Sequence, residues 1–257
     1  MADWDPGLYL RYADDRGRPF FDLLARVGAE QPRRVVDLGC GPGNLTRTLG
    51  ARWPGAELIG VDSSPAMITR ARQDDGGPTD PSWVRADLRD WEPDEPVDAI
   101  ISNAALQWIP DHQQLLPRLL EMLTPDGWLA YQVPVNFNEP SHRLLRELSA
   151  DPRFASRLDG VATMRQQPTA DAVELLAGWG CTVDAWETTY LHVLTGPDPV
   201  FSWISGTGAR PTLEALPDSL RATFSAEYRK LLRQAYPSRP FGTVLPFPRA
   251  FVVAHRI

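Results

Sequence analysis

The stretch Arg33–Leu49, RRVVDLGCGPGNLTRTL, ends an apolar run in an acid, Asp37, and follows it with Gly39, Gly41 and Gly43. Glycines so placed let the backbone approach a ligand closely, and the helix that follows offers free amides. The spacing Gly39-x-Gly41-x-Gly43 is not the G-x-G-x-x-G of dinucleotide folds. An acid directly before the glycines would repel a pyrophosphate. It suits a cationic ligand, such as a sulfonium bearing an α-amino group. The competing reading of a lone glycine cluster is a tight turn. Three further polar residues recur where strands should end. Asp62 closes AELIGVD, where a carboxylate can accept from both hydroxyls of a ribose. Capping of the next helix by Asp62, Ser63 or Ser64 is the alternative. Asp87, in RADLRDW, can accept from an adenine amino group, with Leu88 beside it. Asn103 ends VDAIISN.

These residues need a frame that brings strand ends together. Hydrophobic patterning predicts strands at 34–39, 56–62, 82–87, 97–103 and 126–135, alternating with helices at 18–29, 44–53, 64–73 and 112–123. Pro117 should kink the last of these helices or mark a late start. Strand–helix alternation at this spacing means a parallel α/β sheet, whose ligands sit outside the carboxyl ends of the strands. Beyond Pro134 the rhythm changes. Helices are expected at 138–151, 169–180, 198–208 and 217–236, strands at 182–194 and 243–257, and irregular chain over 152–168. The chain thus reads as a single domain, 1–257, with helical insertions at roughly 136–168 and 196–240.

Composition narrows the classes. The net charge is −7 over 257 residues, with no basic cluster, which argues against nucleic acid or an anionic membrane as partner. The two cysteines, Cys40 and Cys181, and the four histidines show no metal-ligand spacing, and Cys40 in the glycine turn is a poor disulfide partner. The polar start and the lack of an 18-residue apolar run point to the cytoplasm. Nothing in the sequence sets the oligomeric state.

The segments VVDLGCGPG (35–43), GVDSSPAMI (60–68), RADLRDW (85–91) and ISNAALQWIPD (101–111) together resemble the class I S-adenosylmethionine-dependent methyltransferases. The resemblance implies a Rossmann-like fold with a seven-stranded, mostly parallel sheet and helical caps. It also implies S-adenosylmethionine as cofactor, S-adenosylhomocysteine as product, and an apolar side chain, Met67 or Ile68, beneath the adenine. The cofactor residues carried over are Asp37, Gly39, Gly41, Asp62, Ser63, Met67, Asp87, Leu88 and Asn103.

MADWDPGLYLRY, SNAALQWIPDH, GTGARPTLEAL and LPFPRAFVVAHR are similar to one branch of that family, which esterifies a small tricarboxylic acid. A carboxylate is ionised at neutral pH, its ordinary pKa being near ~4, so such an acceptor needs no general base. His112 and His142 are expected to be polar surface residues rather than bases, and no catalytic residue or metal is expected. A tricarboxylate asks for positive charge and donors. Arg165, Arg210, Arg239 and Arg249 are available, with Trp4, Tyr9, Gln107, Trp108, Tyr190, Trp203 and Tyr228 as wall or donor groups, and Trp4, Tyr9 and Tyr12 share the N-terminal segment. Arg210 and Arg249 stand out, each in a segment with little other reason to be basic. The substrate set is therefore Tyr9, Gln107, Trp108, Arg210 and Arg249, with the aromatic N-terminal segment as a lid. Two other readings stay open: a methyltransferase for another small molecule, and a non-catalytic S-adenosylmethionine-binding protein.

Overall fold

The structure, a computed structural model, describes residues 13–73, 80–161 and 168–257, with side chains from Gly17 onward. Its elements in chain order are α1 (Ala13–Leu24), β1 (Arg34–Leu38), α2 (Asn44–Arg52), β2 (Glu57–Asp62), α3 (Pro65–Gln73), β3 (Ser82–Arg85) and β4 (Val97–Asn103). After two short 3₁₀ turns come α4 (Leu116–Glu121), β5 (Leu123–Pro134), α5 (Pro140–Ser149), α6 (Pro152–Leu158), α7 (Thr169–Gly178) and β6 (Cys181–Leu194). The chain ends with α8 (Pro199–Ser205), α9 (Arg210–Ala215), α10 (Asp218–Ala235) and β7 (Thr243–Arg256).

The seven strands form one sheet in the order β3-β2-β1-β4-β5-β7-β6. All neighbours from β3 to β5 pair in parallel, and β7 enters antiparallel between β5 and β6. The central strands read VVDL and AIIS because both faces are covered. One face packs against Phe20, Leu23, Leu49 and Trp53, the other against Leu116, Leu119, Leu120 and Leu176. The chain turns from β1 outward to β2 and β3, then back across to β4. The β1–β4 boundary is therefore the switch point at which open sheets of this kind bind ligands.

A second apolar cluster lies beyond the sheet. β6 and β7 pair over their whole length, from Cys181↔Arg256 to Leu194↔Thr243, whereas β5 pairs with β7 only from Trp128↔His255 to Pro134↔Arg249. The overhanging ribbon carries Leu194, Leu245 and Phe247 into contact with helices from both helical regions, around Phe154, Trp203, Phe224 and Tyr228. α10 turns Phe224, Tyr228 and Leu232 inward, a four-residue spacing that keeps them on one face.

Several expected boundaries move. The first helix is Ala13–Leu24 rather than 18–29, with Pro19 inside it. Pro117 sits in the first turn of α4, where its missing N–H has no helical partner to lose, so the helix starts late. The stretch 152–168, expected to be irregular, contains α6; Pro152 opens it and Asp151 caps it by accepting from the Arg153 N–H at 2.9 Å. α9 falls in a stretch read as a connection between helices. β3 stops at Arg85, so Asp87 lies on the following loop rather than at the strand tip.

Candidate active site

The glycine turn is built by backbone geometry that side chains would block. Gly39, Gly41 and Gly43 all have positive φ, at 82°, 55° and 80°. A Cβ on Gly39 would stand 2.1 Å from the Ala105 Cβ, and one on Gly43 would stand 2.4 Å from the Trp83 ring. Gly41 differs: a Cβ there would meet nothing within 4 Å, so this residue faces open space. The turn is tied to β2 through Gly39 N–H and Cys40 N–H, which both donate to the Val61 carbonyl, at 2.7 and 3.1 Å. Ser102 on β4 donates to the Leu38 carbonyl at 2.8 Å, holding the other side.

Two acids flank this turn. Asp37 is 2% exposed and accepts from the Thr46 hydroxyl at 2.6 Å. Burial pushes its pKa up to about 7; the Thr46 hydrogen bond opposes the shift and the nearby Asp62 carboxylate adds to it. Asp62 accepts from the Gly41 N–H at 3.0 Å and the Ser64 N–H at 2.8 Å. Burial raises its pKa as well, against the hydrogen bonds from those amides. The capping contact and a ribose contact do not exclude each other, since an ionised carboxylate has about four acceptor sites.

The other strand ends converge from the far side. Ala105 and Leu88 both lie beside Gly39. Ala104, just past Asn103, has φ 54°, a left-handed conformation that a non-glycine residue adopts at a modest energetic cost. Gln107 is buried, donates to the Ala104 carbonyl at 2.6 Å, and leaves its own carbonyl oxygen without a partner among the described residues. Met67 and Ile68 are both buried. Ile68 packs with Cys40 and Trp83 beneath the turn. Asp87 is gripped by Arg89 at 2.6 and 3.0 Å, a contact that holds its carboxyl below the usual range. Ser63 is half-buried directly after Asp62.

Arg249 is 4% exposed and donates to the Gln132 side-chain carbonyl at 2.9 Å. Gln132 in turn donates to Asn103 Oδ1 at 2.6 Å. Arg249 is thus joined to the tip of β4 through one side chain. Arg210 is the first residue of α9 and pairs with Glu214 at 2.6 Å. Trp108 is half-buried in the 3₁₀ turn after β4. Arg239 is exposed, in the tight turn that closes on Gly242 before β7. Trp4, Tyr9, Tyr12 and Arg165 lie outside the described residues. A cavity of about 550 Å³ lies apart from the glycine turn, between α5, α6 and α9, with Phe137, His142, Arg146, Gly208 and Thr212 on its walls.

Some expectations are corrected. His112 and His142 are not surface residues: they are 5% and 7% exposed, and burial pushes both down to about 4. Tyr228 and Trp203 are core residues of the second cluster, and the Tyr228 hydroxyl donates to the Ser141 carbonyl at 2.8 Å. Tyr190 is likewise buried and donates to Asp22 at 2.6 Å. Sequence reasoning did not single out Gln132, Thr46 or Ala105. The signal for Gln132 was present: a long polar side chain inside the apolar strand LAYQVPV.

The site fits S-adenosylmethionine on its own evidence. An open backbone cradle at Gly41 and two acids suit a ligand with a diol and a cationic amino-acid end. The sheet order and this strand-tip crevice define a class I, S-adenosylmethionine-dependent methyltransferase fold. Comparison with known proteins agrees. Residues 11–176 match the family model described as a methyltransferase domain. The Bacillus subtilis YcgJ structure superposes with a TM-score of 0.61 at 14% identity, covering 95% of this chain and 98% of that one, which bears on the fold alone. Two curated relatives are far closer in sequence. A Streptomyces avermitilis protein is 49% identical over 266 residues, spanning 100% of this chain and 98% of its own length. A Mycolicibacterium gilvum protein is 51% identical over 258 residues, spanning 98% of each. Both carry the name trans-aconitate 2-methyltransferase, and the chain belongs to their methyltransferase family.

Proposed function

We propose that this chain methylates one carboxylate of trans-aconitate, or of a closely similar small tricarboxylic acid, to give a monomethyl ester. The observation that carries the reading is about half-identity, sustained over essentially the whole chain, to proteins bearing that name. When bound, S-adenosylmethionine supplies an electrophilic methyl group on a positively charged sulfur. Asp37, Gly39, Gly41, Asp62, Ser63, Met67, Asp87, Leu88 and Asn103 are proposed to hold it. The acceptor carboxylate is already ionised, so no residue needs to remove a proton. The low pKa values of His112 and His142 support that assignment, because a general base works best near the operating pH. The protein's contribution is to orient the two partners and to keep water from the reacting oxygen.

Arg249 is proposed to hold a carboxylate that is not methylated. Its guanidinium is buried and tied to the tip of β4. A guanidinium can fork onto a carboxylate through two parallel hydrogen bonds, fixing its position and orientation. Arg210, Gln107, Trp108 and Tyr9 complete the proposed acid site, under a cap formed by the helical regions at roughly 136–168 and 196–240 of a single-domain chain. On the same reading the enzyme works in the cytoplasm, which its two free, buried cysteines support. The test is to offer methyl-labelled cofactor with a panel of di- and tricarboxylic acids to the wild type, Arg249→Ala and Arg249→Lys. The expected result is a labelled monoester of trans-aconitate with the wild type. Arg249→Ala should lose roughly 10- to 150-fold in kcat/KM, the worth of one charge-assisted contact, with partial rescue by lysine. Failure of every acid in the panel would overturn the substrate, and wild-type kinetics in Arg249→Ala would overturn the role of that residue.

A further inference from the structure

The connection between Arg249 and Asn103 has a direction. Arg249 carries only donors and cannot lose its proton. Gln132, fully buried between them, must turn its carbonyl oxygen toward Arg249, which it meets at 2.9 Å. That leaves the Gln132 NH₂ facing Asn103. Asn103 can answer a donor only with its own oxygen, and Oδ1 stands 2.6 Å away. The bond to Gln132 is the only side-chain hydrogen bond of Asn103 among the described residues. The polarity of the strand tip therefore follows, through one amide, from a cation on a different strand.

The backbone supports this geometry. Asn103 and Gln132 are direct partners across the parallel β4–β5 pair. Gln132 faces Phe251 on β7, and Arg249 lies two positions along that strand, on the same face of the sheet. The Gln132 backbone carbonyl, distinct from the side-chain oxygen that meets Arg249, accepts from the Ala104 N–H at 3.0 Å and anchors the left-handed residue that turns the chain away from the tip.

We propose that Gln132 is a positioning residue: held by Arg249, it orients the Asn103 amide so that N–H donors, and not a carbonyl oxygen, face the strand-tip crevice and grip a carboxylate there. The proposal rests on the methyltransferase reading above. Two carboxylates meet the requirement, one on the acceptor acid and one at the amino-acid end of the cofactor. The measurement below separates them.

Two substitutions at one position give opposite expectations for a polarity device and for plain packing. In Gln132→Glu both terminal oxygens accept. One still faces Arg249, and the other can only accept from Asn103, which must rotate and present its carbonyl oxygen to the crevice. Gln132→Met is similar in length and leaves Asn103 free to turn either way, but it abolishes both hydrogen bonds. If Gln132 merely fills the core, the methionine variant should be the more damaged in every respect. If it orients Asn103, the glutamate variant should melt closer to the wild type and yet bind worse. Calorimetric titration with S-adenosylhomocysteine gives one Kd, and steady-state kinetics give KM for trans-aconitate. The expected result is a loss of about 10- to 150-fold in one of these constants for Gln132→Glu, as a donor to a charged group is replaced by an acceptor, and a smaller loss for Gln132→Met. The constant that moves identifies the carboxylate. Wild-type values of both constants in Gln132→Glu, or a methionine variant worse in both, would overturn the proposal. The calorimetric arm needs no turnover. A failure of the substrate reading, seen as no acid in the panel accepting label, therefore leaves the comparison of Gln132→Glu with Gln132→Met by S-adenosylhomocysteine affinity standing as a separate test of the Gln132 assignment.

Discussion

Asp37 offers a test in which stability and binding should move in opposite directions. Its carboxyl is 2% exposed and its pKa is raised from 3.8 to about 7, chiefly by burial. Between those values the unfolded chain has released the proton and the folded protein still holds it. Stability therefore falls as pH rises through that window and is level above it. About three pH units at ~1.36 kcal/mol each put the cost of ionised Asp37 near 4 kcal/mol in the ligand-free protein. Asp37→Asn removes the charge and can keep the hydrogen bond from Thr46. It leaves part of a buried amide unpaired, at roughly 1–3 kcal/mol. The net expectation at pH 8 is a ligand-free variant more stable than the wild type by roughly 1–3 kcal/mol, hence a melting point several degrees higher. Near pH 4 the advantage should be gone, because Asp37 in the wild type is then protonated.

Cofactor binding should show the reverse. A cation held against Asp37 favours its carboxylate, so the binding-competent fraction of the wild type shrinks below pH 7. The apparent Kd for S-adenosylmethionine should rise about tenfold for each pH unit below 7 and be flat above it. Titration calorimetry at pH 6 in buffers of different ionisation enthalpy should register about one proton released per cofactor bound. The asparagine variant should bind weakly at every pH and release none. A wild-type Kd constant from pH 5.5 to 8 with no proton release would refute the assignment of Asp37 to the cationic end of the cofactor. A variant no more stable than the wild type at pH 8, relative to its position at pH 4, would refute the burial argument itself.

Two further outcomes follow from the same geometry. Gly39→Ala should fail to fold normally, because its Cβ would overlap Ala105 at 2.1 Å, whereas Gly41→Ala should stay folded and lose cofactor affinity, since its Cβ would project into the open cradle; circular dichroism and calorimetry on the pair check this. For the histidines, both lowered to about 4 by burial, the rate at saturating cofactor should show no rising limb between pH 6 and 8 that belongs to either, and each should contribute stability above pH 6.5 that is lost as pH falls toward 4; pH–rate and pH–melting profiles of His112→Ala and His142→Ala are the measurements.

The parallel half of the fold was legible because it is written in local terms. VVDL, ELIGVD and VDAIISN are apolar runs between glycine turns and amphipathic helices, and each forms a strand. The insertions were harder. α6 begins at Pro152 in a stretch rich in arginine, and its register depends on Phe154 meeting Phe224, 70 positions further along the chain. No local pattern announces that contact. The histidines were misjudged for a related reason. A polar residue near a helix start is usually exposed, and only the packing of α5 against the residues around Gly208 buries His142. Arg249 was singled out from the oddity of a cation in PFPRAF, but its partner was not. The link to Gln132 spans 117 positions and exists only once β7 has inserted beside β5.

The sheet distributes charge in a way that suits the proposed reaction. At the tips of β1 and β2 stand Asp37 and Asp62, both raised in pKa chiefly by burial. Across the switch point, on β7, stands the buried Arg249. Asn103, on β4, lies between the two regions. A donor with a positive sulfur is attracted toward the first region and an anionic acceptor toward the second, so the field that binds them also orients them toward each other. The transfer removes both charges: a sulfonium becomes a thioether and a carboxylate becomes an ester. Each half of the site then holds a product with one charge fewer than the reactant it was built to attract. On the proposed reading, the arrangement of charge that draws the reactants in also weakens the grip on what leaves.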